Sequence, residues 1–174
     1  MKKNGMLIKV LALAFFARKN GLKIAVAESC TSGLLACHLS SLAGSSAWFD
    51  FGIVCYSNLS KKTLLSVDLN SVKSHGSVSK IVASQMLTGL EKILPEKKNK
   101  FYLLSSITGI AGPTGGSKKK PRGLVWFGFP SFGERTCKNS ILSGSRMLIR
   151  FLAVRTALEG LISASARKNK GIIE

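Results

Sequence analysis

The sequence contains few of the side chains that most often move protons in enzyme active sites. There are two histidines and eight acidic residues among its 174 residues. His38 falls in a predicted helix and His75 in a predicted loop, so a serine–histidine–aspartate triad fits poorly, and paired carboxylates are equally scarce. The residues that remain for such chemistry are serine, tyrosine and lysine.

Cysteine usage argues against a metal site and against disulfide bonds. The four cysteines include no CxxC pair, and the two histidines cannot complete a zinc site without several of them. Scattered cysteines in a chain of this size are typical of buried thiols in a reducing compartment. We therefore expect a cytoplasmic protein that holds no metal ion.

No apolar run approaches the roughly 18–20 residues that cross a bilayer, so we expect no membrane partner. The basic and apolar amino-terminal stretch also fits a signal peptide poorly, because Lys9 interrupts it and a bulky Phe15 stands near the cleavage position. The stretch instead predicts a helix that Gly21 stops. Its expected buried face consists of Leu7, Val10, Leu11, Ala14 and Phe15.

The charge balance is strongly basic, with 26 Lys and Arg against eight Asp and Glu, for a net charge of +18. Such an excess suggests binding to phosphates. The basic residues are spread along the chain, however, with runs only at 97–100 and 118–122 and no interleaved aromatic platform. This distribution favours an anionic small ligand over a nucleic acid.

Apolar runs of strand length alternate with helical patterns, which predicts an α/β protein. The predicted strands are 22–29, 51–57, 102–112, 123–129 and 135–142. The predicted helices after the first are 34–42, one that begins at Ser57 or Asn58, 79–94 and 145–167, and 66–77 is expected to be a turn-rich connection. We expect one domain over residues 1–174, a three-layer α/β/α sandwich with a mostly parallel, mixed sheet.

In such a fold, ligands bind at the carboxyl ends of the strands. The stretches expected to meet there are AESCTSG, YSN, ITGIAGPTGG and SGSR. The glycine-rich stretch is neither a Walker A motif nor G-x-G-x-x-G, and it leads into a strand. It is either a loop that needs positive φ angles or a set of N–H groups exposed to a ligand.

The stretch GSSAWFDFGIVCYSNLSK, residues 44–61, contains Ser46, Tyr56 and Lys61. A desolvated lysine can lose its proton near neutral pH and can deprotonate a serine directly or through a tyrosine hydroxyl. Spacing alone leaves two interpretations open: a nucleophile with its base, or a turn followed by a solvated helix surface.

Five motifs favour the interpretation as a nucleophile with its base. Together they resemble the CinA C-terminal domain family, the nicotinamide mononucleotide deamidases. They are AESCTSG, AGSSAWF, YSN followed by Lys61, HGSVS, and ITGIAGPTGGS-x-x-KP-x-G, in that order between Gly21 and Arg146. The resemblance implies a stand-alone enzyme that hydrolyses the carboxamide of nicotinamide mononucleotide to nicotinic acid mononucleotide and ammonia. It also implies that the enzyme needs no metal or cofactor and that its partner is a small nucleotide.

The resemblance also implies roles for individual residues. Ser46 corresponds to the nucleophile, with Ser45 and Ser29 as alternatives, and Tyr56 and Lys61 correspond to its catalytic partners. The implied substrate-binding residues are Ser29, Thr31, Asn58, Thr108, Gly109 and Arg146.

Several positions depart from the family pattern. Ser32 replaces a glycine, Ser145 replaces the aspartate before Arg146, and Lys118 and Lys119 replace acids. These departures leave open a non-catalytic nucleotide-binding relative. The charge leaves open a basic nucleic-acid-binding accessory protein of the competence or DNA-damage type. Oligomeric state is not readable from the sequence, and a homo-oligomer is one of the open outcomes.

Overall fold

The computed structural model describes residues 4–94, 101–130 and 135–170, and within them there are five strands and six α-helices. The helices are α1 (Asn4–Lys19), α2 (Leu34–Leu39), α3 (Asn58–Leu65), α4 (Leu69–His75), α5 (Lys80–Ile93) and α6 (Arg146–Lys170). The strands are β1 (Leu22–Glu28), β2 (Phe49–Val54), β3 (Phe101–Gly109), β4 (Leu124–Pro130) and β5 (Arg135–Ile141). The basic run at 97–100 lies outside the described residues.

Local sequence explains where several elements begin and end. Gly21 follows α1 with φ +60°, a conformation that glycine adopts readily. The hydroxyl oxygens of Ser57 and Ser79 accept the N–H groups of Ser60 and Val82, and thereby cap the starts of α3 and α5. The stop at Gly21 and the cap at Ser57 agree with the sequence-based predictions.

The strands form one mixed sheet in the order β2-β1-β3-β4-β5. Strand β1 lies between β2 and β3 and runs parallel to both, whereas β4 is antiparallel to β3 and β5 is antiparallel to β4. The antiparallel part follows from the glycine-rich connection between β3 and β4, which contains no crossover helix. The predicted mixed α/β sheet is confirmed.

Helices cover both faces of this sheet, as expected for the three-layer sandwich. Ile24 and Val26 of β1 pack into a core with α1, α2 and α6. Ala25 and Ala27 point to the other face and join the core beneath α3, α4 and α5. The burial of β1 on both faces explains the unbroken apolar run at 24–27.

Residues 66–77 contain a helix, α4, where a turn-rich connection was predicted. The carboxylate of Asp68 caps it by accepting the N–H groups of Asn70 and Ser71. Only Val72 of this helix is buried. The helix therefore lacks the apolar periodicity by which helices are detected, and the prediction was wrong here.

The buried face of α1 is also displaced from the predicted one. Val10 and Ala14 are buried as expected, together with Met6, Leu13 and Ala17. Leu7, Leu11 and Phe15 lie on the exposed side instead. Apolar residues occur all around this helix, so sequence periodicity could not select the face that packs.

The sheet places one set of chain segments at a common edge. β1, β2 and β3 run in the same direction and end at Glu28, Val54 and Gly109, and Glu28 pairs with both Val54 and Ile107. Segments that follow these strands therefore meet at the carboxyl edge. Among the described residues, no helix is long and apolar enough to span a membrane.

Candidate active site

A cavity of about 180 Å³ lies at the carboxyl edge of the parallel strands. Its walls come from the segments that follow β1, β2 and β3, from the α4–α5 connection and from the start of α6. The lining residues are Ser29, Cys30, Tyr56, Lys61, Ser77, Val78, Thr108, Gly109, Ala111 and Arg146.

Lys61 is the charged group at the centre of this site. It lies one turn into α3, and its side chain is only 1% exposed. Its Nζ donates to Ser29 Oγ at 2.9 Å and to the backbone carbonyl of Tyr56 at 3.0 Å. Burial lowers the pKa of Lys61 because it penalises the ammonium form, and the nearby thiols of Cys55 and Cys30 oppose this shift to a smaller extent.

Ser29 is the first residue after β1, and the turn that begins with it is held by its own hydrogen bonds. The carbonyl of Ser29 accepts both the N–H and the hydroxyl of Ser32. Ser32 adopts φ +50°, a left-handed conformation that glycine adopts more readily than other residues. The serine found here is accommodated because its hydroxyl bonds within the turn.

Glu28 holds the other end of the same turn, where α2 begins. This carboxylate is fully buried, and its two oxygens accept the N–H of Leu35 at 3.1 Å and the N–H of Ala36 at 2.8 Å. Gly33, which precedes α2, has no side chain to cap the helix. Glu28 therefore serves as the cap of α2 and fixes the far end of the Ser29 turn.

Arg146, the first residue of α6, connects two walls of the cavity. Its Nη2 donates to the hydroxyl of Tyr56 at 2.9 Å, and its Nη1 donates to the carbonyl of Gly112 at 2.6 Å. The neighbouring Ser145 hydroxyl accepts the N–H of Leu148 and caps α6. Serine thus fills a capping role in place of the aspartate of the family pattern.

The structure brings together most of the residues that the sequence proposed for the site. Tyr56, Lys61, Ser29, Thr108, Gly109 and Arg146 all line the cavity. Thr108 is almost completely buried, and its hydroxyl donates to the carbonyl of Ser77 at 2.8 Å.

Thr31 and Asn58 do not line the cavity. Thr31 is fully buried behind the Ser29 turn, where its carbonyl accepts Nη2 of Arg150 at 2.8 Å. Asn58 is an exposed residue at the start of α3. Both follow strands that end at the carboxyl edge, but neither is among the residues that line the cavity.

Ser46, the residue predicted as nucleophile from the resemblance, lies apart from Lys61 in this structure. It lies with Ser45 in a short 3₁₀ helix before β2, is exposed, and accepts Nζ of Lys23 through its carbonyl at 2.8 Å. A residue that precedes a parallel strand lies at the opposite edge from the residues that follow it. The serine in contact with Lys61 is Ser29.

The two cysteines near Lys61 are poor candidates for a nucleophile. Burial raises the pKa of Cys30, which lines the cavity, to about 12 and that of Cys55 to about 11. Both thiols therefore stay protonated at neutral pH. Within the described parts of the chain, no cluster of histidine, cysteine and acidic residues is arranged to hold a metal ion.

Ser77 and Val78 are cavity residues that the sequence did not single out. They belong to the HGSVS motif, which contributed to the resemblance without a role of its own. Asp68 and Ser79, which cap α4 and α5, flank this stretch and could have indicated a helix followed by a short connection there. The sequence was interpreted as turns instead.

Comparisons with known proteins agree with this fold. The CinA C-terminal domain family matches residues 9–165. The chain is 39% identical over 145 residues to nicotinamide-nucleotide amidohydrolase PncC of Escherichia coli K12, covering 83% of this chain and 85% of that protein. It is 42% identical over 156 residues to a CinA-like protein of Syntrophomonas wolfei, covering 90% of this chain but 36% of that protein.

The chain thus spans about a third of the length of the longer relatives. Among solved structures, the competence/damage inducible protein CihA from Agrobacterium tumefaciens superposes with a TM-score of 0.84 at 35% identity, covering 92% of this chain and 95% of that one. Because the family match extends over most of the sequence and includes every cavity-lining residue, the chain belongs to the CinA C-terminal domain family.

Proposed function

We propose that this protein hydrolyses the carboxamide of nicotinamide mononucleotide, with Ser29 as nucleophile and Lys61 as general base. One observation carries the proposal: Nζ of a buried lysine lies 2.9 Å from Ser29 Oγ at the wall of a cavity. The relatives named nicotinamide-nucleotide amidohydrolase supply the substrate class, since they match this chain over most of their length.

The first half of the reaction forms an acyl-enzyme. Neutral Lys61 accepts the proton of the Ser29 hydroxyl while the oxygen attacks the carboxamide carbon. The N–H groups of Ser29 and Ser32 already bond backbone carbonyls, so other N–H groups of this turn would stabilise the oxyanion, a contribution of about 3–4 kcal/mol for such donors. The C–N bond then breaks, the departing nitrogen takes the proton from Lys61, and ammonia leaves a nicotinoyl ester on Ser29.

The second half releases the acid. A water molecule gives a proton to Lys61 and attacks the ester carbon, and Ser29 recovers its proton when the C–O bond breaks. The products are nicotinic acid mononucleotide and the free enzyme. Lys61 acts as base and acid in turn, which explains how the site functions without a histidine.

In this proposal Tyr56 and Arg146 contribute to substrate binding and take no part in proton transfer. The Tyr56 hydroxyl bonds Arg146, and Lys61 reaches Ser29 directly, so no tyrosine relay is needed. The guanidinium at the cavity wall is suited to a forked contact with the nucleotide phosphate. Tyr56 would hold that guanidinium in place.

Ammonia release from nicotinamide mononucleotide by Ser29→Ala and Ser46→Ala tests the assignment. We expect Ser29→Ala to lower kcat at least about a thousandfold, as loss of a nucleophile does elsewhere. Ser46→Ala should stay within about twofold of the wild type, because Ser46 is exposed at the opposite edge of the sheet. The reverse pattern would refute the role of Ser29.

The same assay addresses the non-catalytic alternative. Wild-type protein that binds the mononucleotide in calorimetry but releases no ammonia would be a binding relative instead. The two departures closest to the site do not favour that outcome, since Ser32 and Ser145 both make hydrogen bonds that maintain the local backbone.

A further inference from the structure

The basic run 118–122 contains one lysine that differs from its neighbours. Lys118 and Lys119 are exposed, whereas Lys120 is half-buried. Its Nζ donates to the backbone carbonyl of His75 and, at 2.7 Å, to that of Val78. Its backbone is held in a tight turn by reciprocal hydrogen bonds with Ser117.

These two carbonyls belong to the first and last residues of the 75–78 segment, which forms part of the cavity wall. His75 ends α4, where carbonyl groups lack intrahelical partners and favour a cation. The segment that follows carries Ser77 and Val78, which line the cavity, and Ser79 then caps α5. The Lys120 ammonium therefore holds both ends of the 75–78 segment.

Ser77 is held from the sheet side as well, because the Thr108 hydroxyl donates to its carbonyl. The wall is thus anchored to β3 by Thr108 and to the glycine-rich connection by Lys120. The backbone approaches the ammonium closely: a Cβ added to Gly76 would lie 2.7 Å from Lys120 Nζ, and Gly76 has φ +73°. The positive φ favours glycine at position 76, and a side chain there would displace the end of Lys120 from this contact.

We propose that Lys120 is a positioning residue that sets the shape of the substrate cavity by fixing the 75–78 segment to the glycine-rich connection. The inference rests on the proposed function for its substrate, and it gives Lys120 no contact with the reacting atoms. Since Ser29 and Lys61 lie on other segments, loss of Lys120 should weaken substrate binding more than it slows the chemical step.

Lys120→Met, with Lys119→Met as matched control, tests the proposal. Both variants remove one positive charge from the same run, but only Lys120 bonds the 75–78 segment. We expect Lys120→Met to raise KM for nicotinamide mononucleotide about tenfold, the usual effect of losing hydrogen bonds to a charged donor, with kcat within about twofold. Lys119→Met should leave both constants within about twofold.

Backbone hydrogen exchange supplies a readout that does not depend on activity. Amides of residues 76–79 should exchange at least about tenfold faster in Lys120→Met, and at the wild-type rate in Lys119→Met. A KM rise of equal size in both variants would show a general charge effect and overturn the proposal. An unchanged KM, or unchanged exchange of this segment, in Lys120→Met would also overturn it.

Gly76→Ala disturbs the contact between Lys120 and the 75–78 segment by a change in the segment rather than in the lysine. It tests the proposal even if Lys120→Met does not fold. We expect it to raise KM and speed exchange of 76–79, and to add little when combined with Lys120→Met. Fully additive effects would contradict a shared contact. If wild-type protein releases no ammonia, the proposed function fails, while the Kd for the mononucleotide and the exchange rates still decide the role of Lys120.

Discussion

At the scale of single residues, Lys61 has an environment unlike that of an ordinary lysine. Its ammonium is removed from water, and its described partners are a hydroxyl and a backbone carbonyl rather than a carboxylate. Burial without an ion pair lowers its pKa. A lysine in this state can hold a proton between the two halves of an acyl-transfer reaction.

This shift predicts the direction of the pH dependence. Only neutral Lys61 can accept the Ser29 proton, so kcat/KM should rise with pH as the ammonium loses its proton. The midpoint should lie below 10.5, the ordinary lysine value, because the folded protein disfavours the charged form. A pH profile of ammonia release measures this midpoint. A rate that does not change with pH below 10.5 would contradict the prediction.

Lys61→Arg provides the control for this prediction. Arginine keeps a positive charge and hydrogen-bond donors, but it does not deprotonate at accessible pH. We expect this variant to lose at least about a hundredfold in kcat, the lower range of a general-base contribution, at every pH tested. Activity that survives with an unchanged pH profile would show that Lys61 is not the base.

The sequence located some of these residues and missed others for identifiable reasons. Tyr56 and Lys61 directly follow a strand whose end lies at the carboxyl edge, so their place was predictable from chain direction. Ser46 is close to them in sequence but precedes the same strand, which places it at the other edge. Ser29 was predicted only as a substrate-binding residue or an alternative nucleophile, because its contact with Lys61 spans two strands and appears only after folding.

At the scale of elements, the short helix α2 depends on a carboxylate from the strand before it. Replacing Glu28 by Gln leaves one oxygen where two buried N–H groups need acceptors. We expect a loss of about 1–3 kcal/mol in the free energy of unfolding, the cost of an unsatisfied buried group, as measured by urea denaturation.

Glu159→Gln is the matched control, since it makes the same chemical change on the surface. Glu159 pairs with Lys9 and Arg155 on partly exposed helices, and such pairs contribute about 0–1 kcal/mol. Equal losses in the two variants would show that Glu28 has no special role in capping α2.

Strands were easier to predict than helices in this chain. Four of the five strands contain a short apolar run, and β1 carries an unbroken one at 24–27 because both of its faces are covered. β5 is mostly polar and was recognised by its alternating pattern instead. α4 has a single buried residue and a cap made by Asp68, so its signal is polar and resembles a turn. The position of the site followed from the strand ends, whereas the wall formed by Ser77 and Val78 depended on the missed helix.

At the scale of the whole molecule, α1 shows that apolar sequence does not determine which side is buried. Leu13 has no exposed surface, whereas Phe15, two residues later, is 72% exposed. Leu13→Ala should cost about 2–5 kcal/mol of unfolding free energy, as for other core deletions. Phe15→Ala should cost less than about 0.5 kcal/mol, and thermal or urea unfolding distinguishes the two. A larger loss for Phe15→Ala would mean that this face packs against something in solution.

The unpaired charge of Lys61 also bears on inhibition. Within the described chain its hydrogen-bond partners are uncharged, so a tetrahedral anion formed on Ser29 would be a negatively charged partner in direct contact with it. A boronic acid in the position of the carboxamide becomes such an anion when a serine oxygen adds to it. Boronate analogues of the mononucleotide should therefore bind by stabilising lysine in its ammonium form, and they should lose most of their potency against Ser29→Ala.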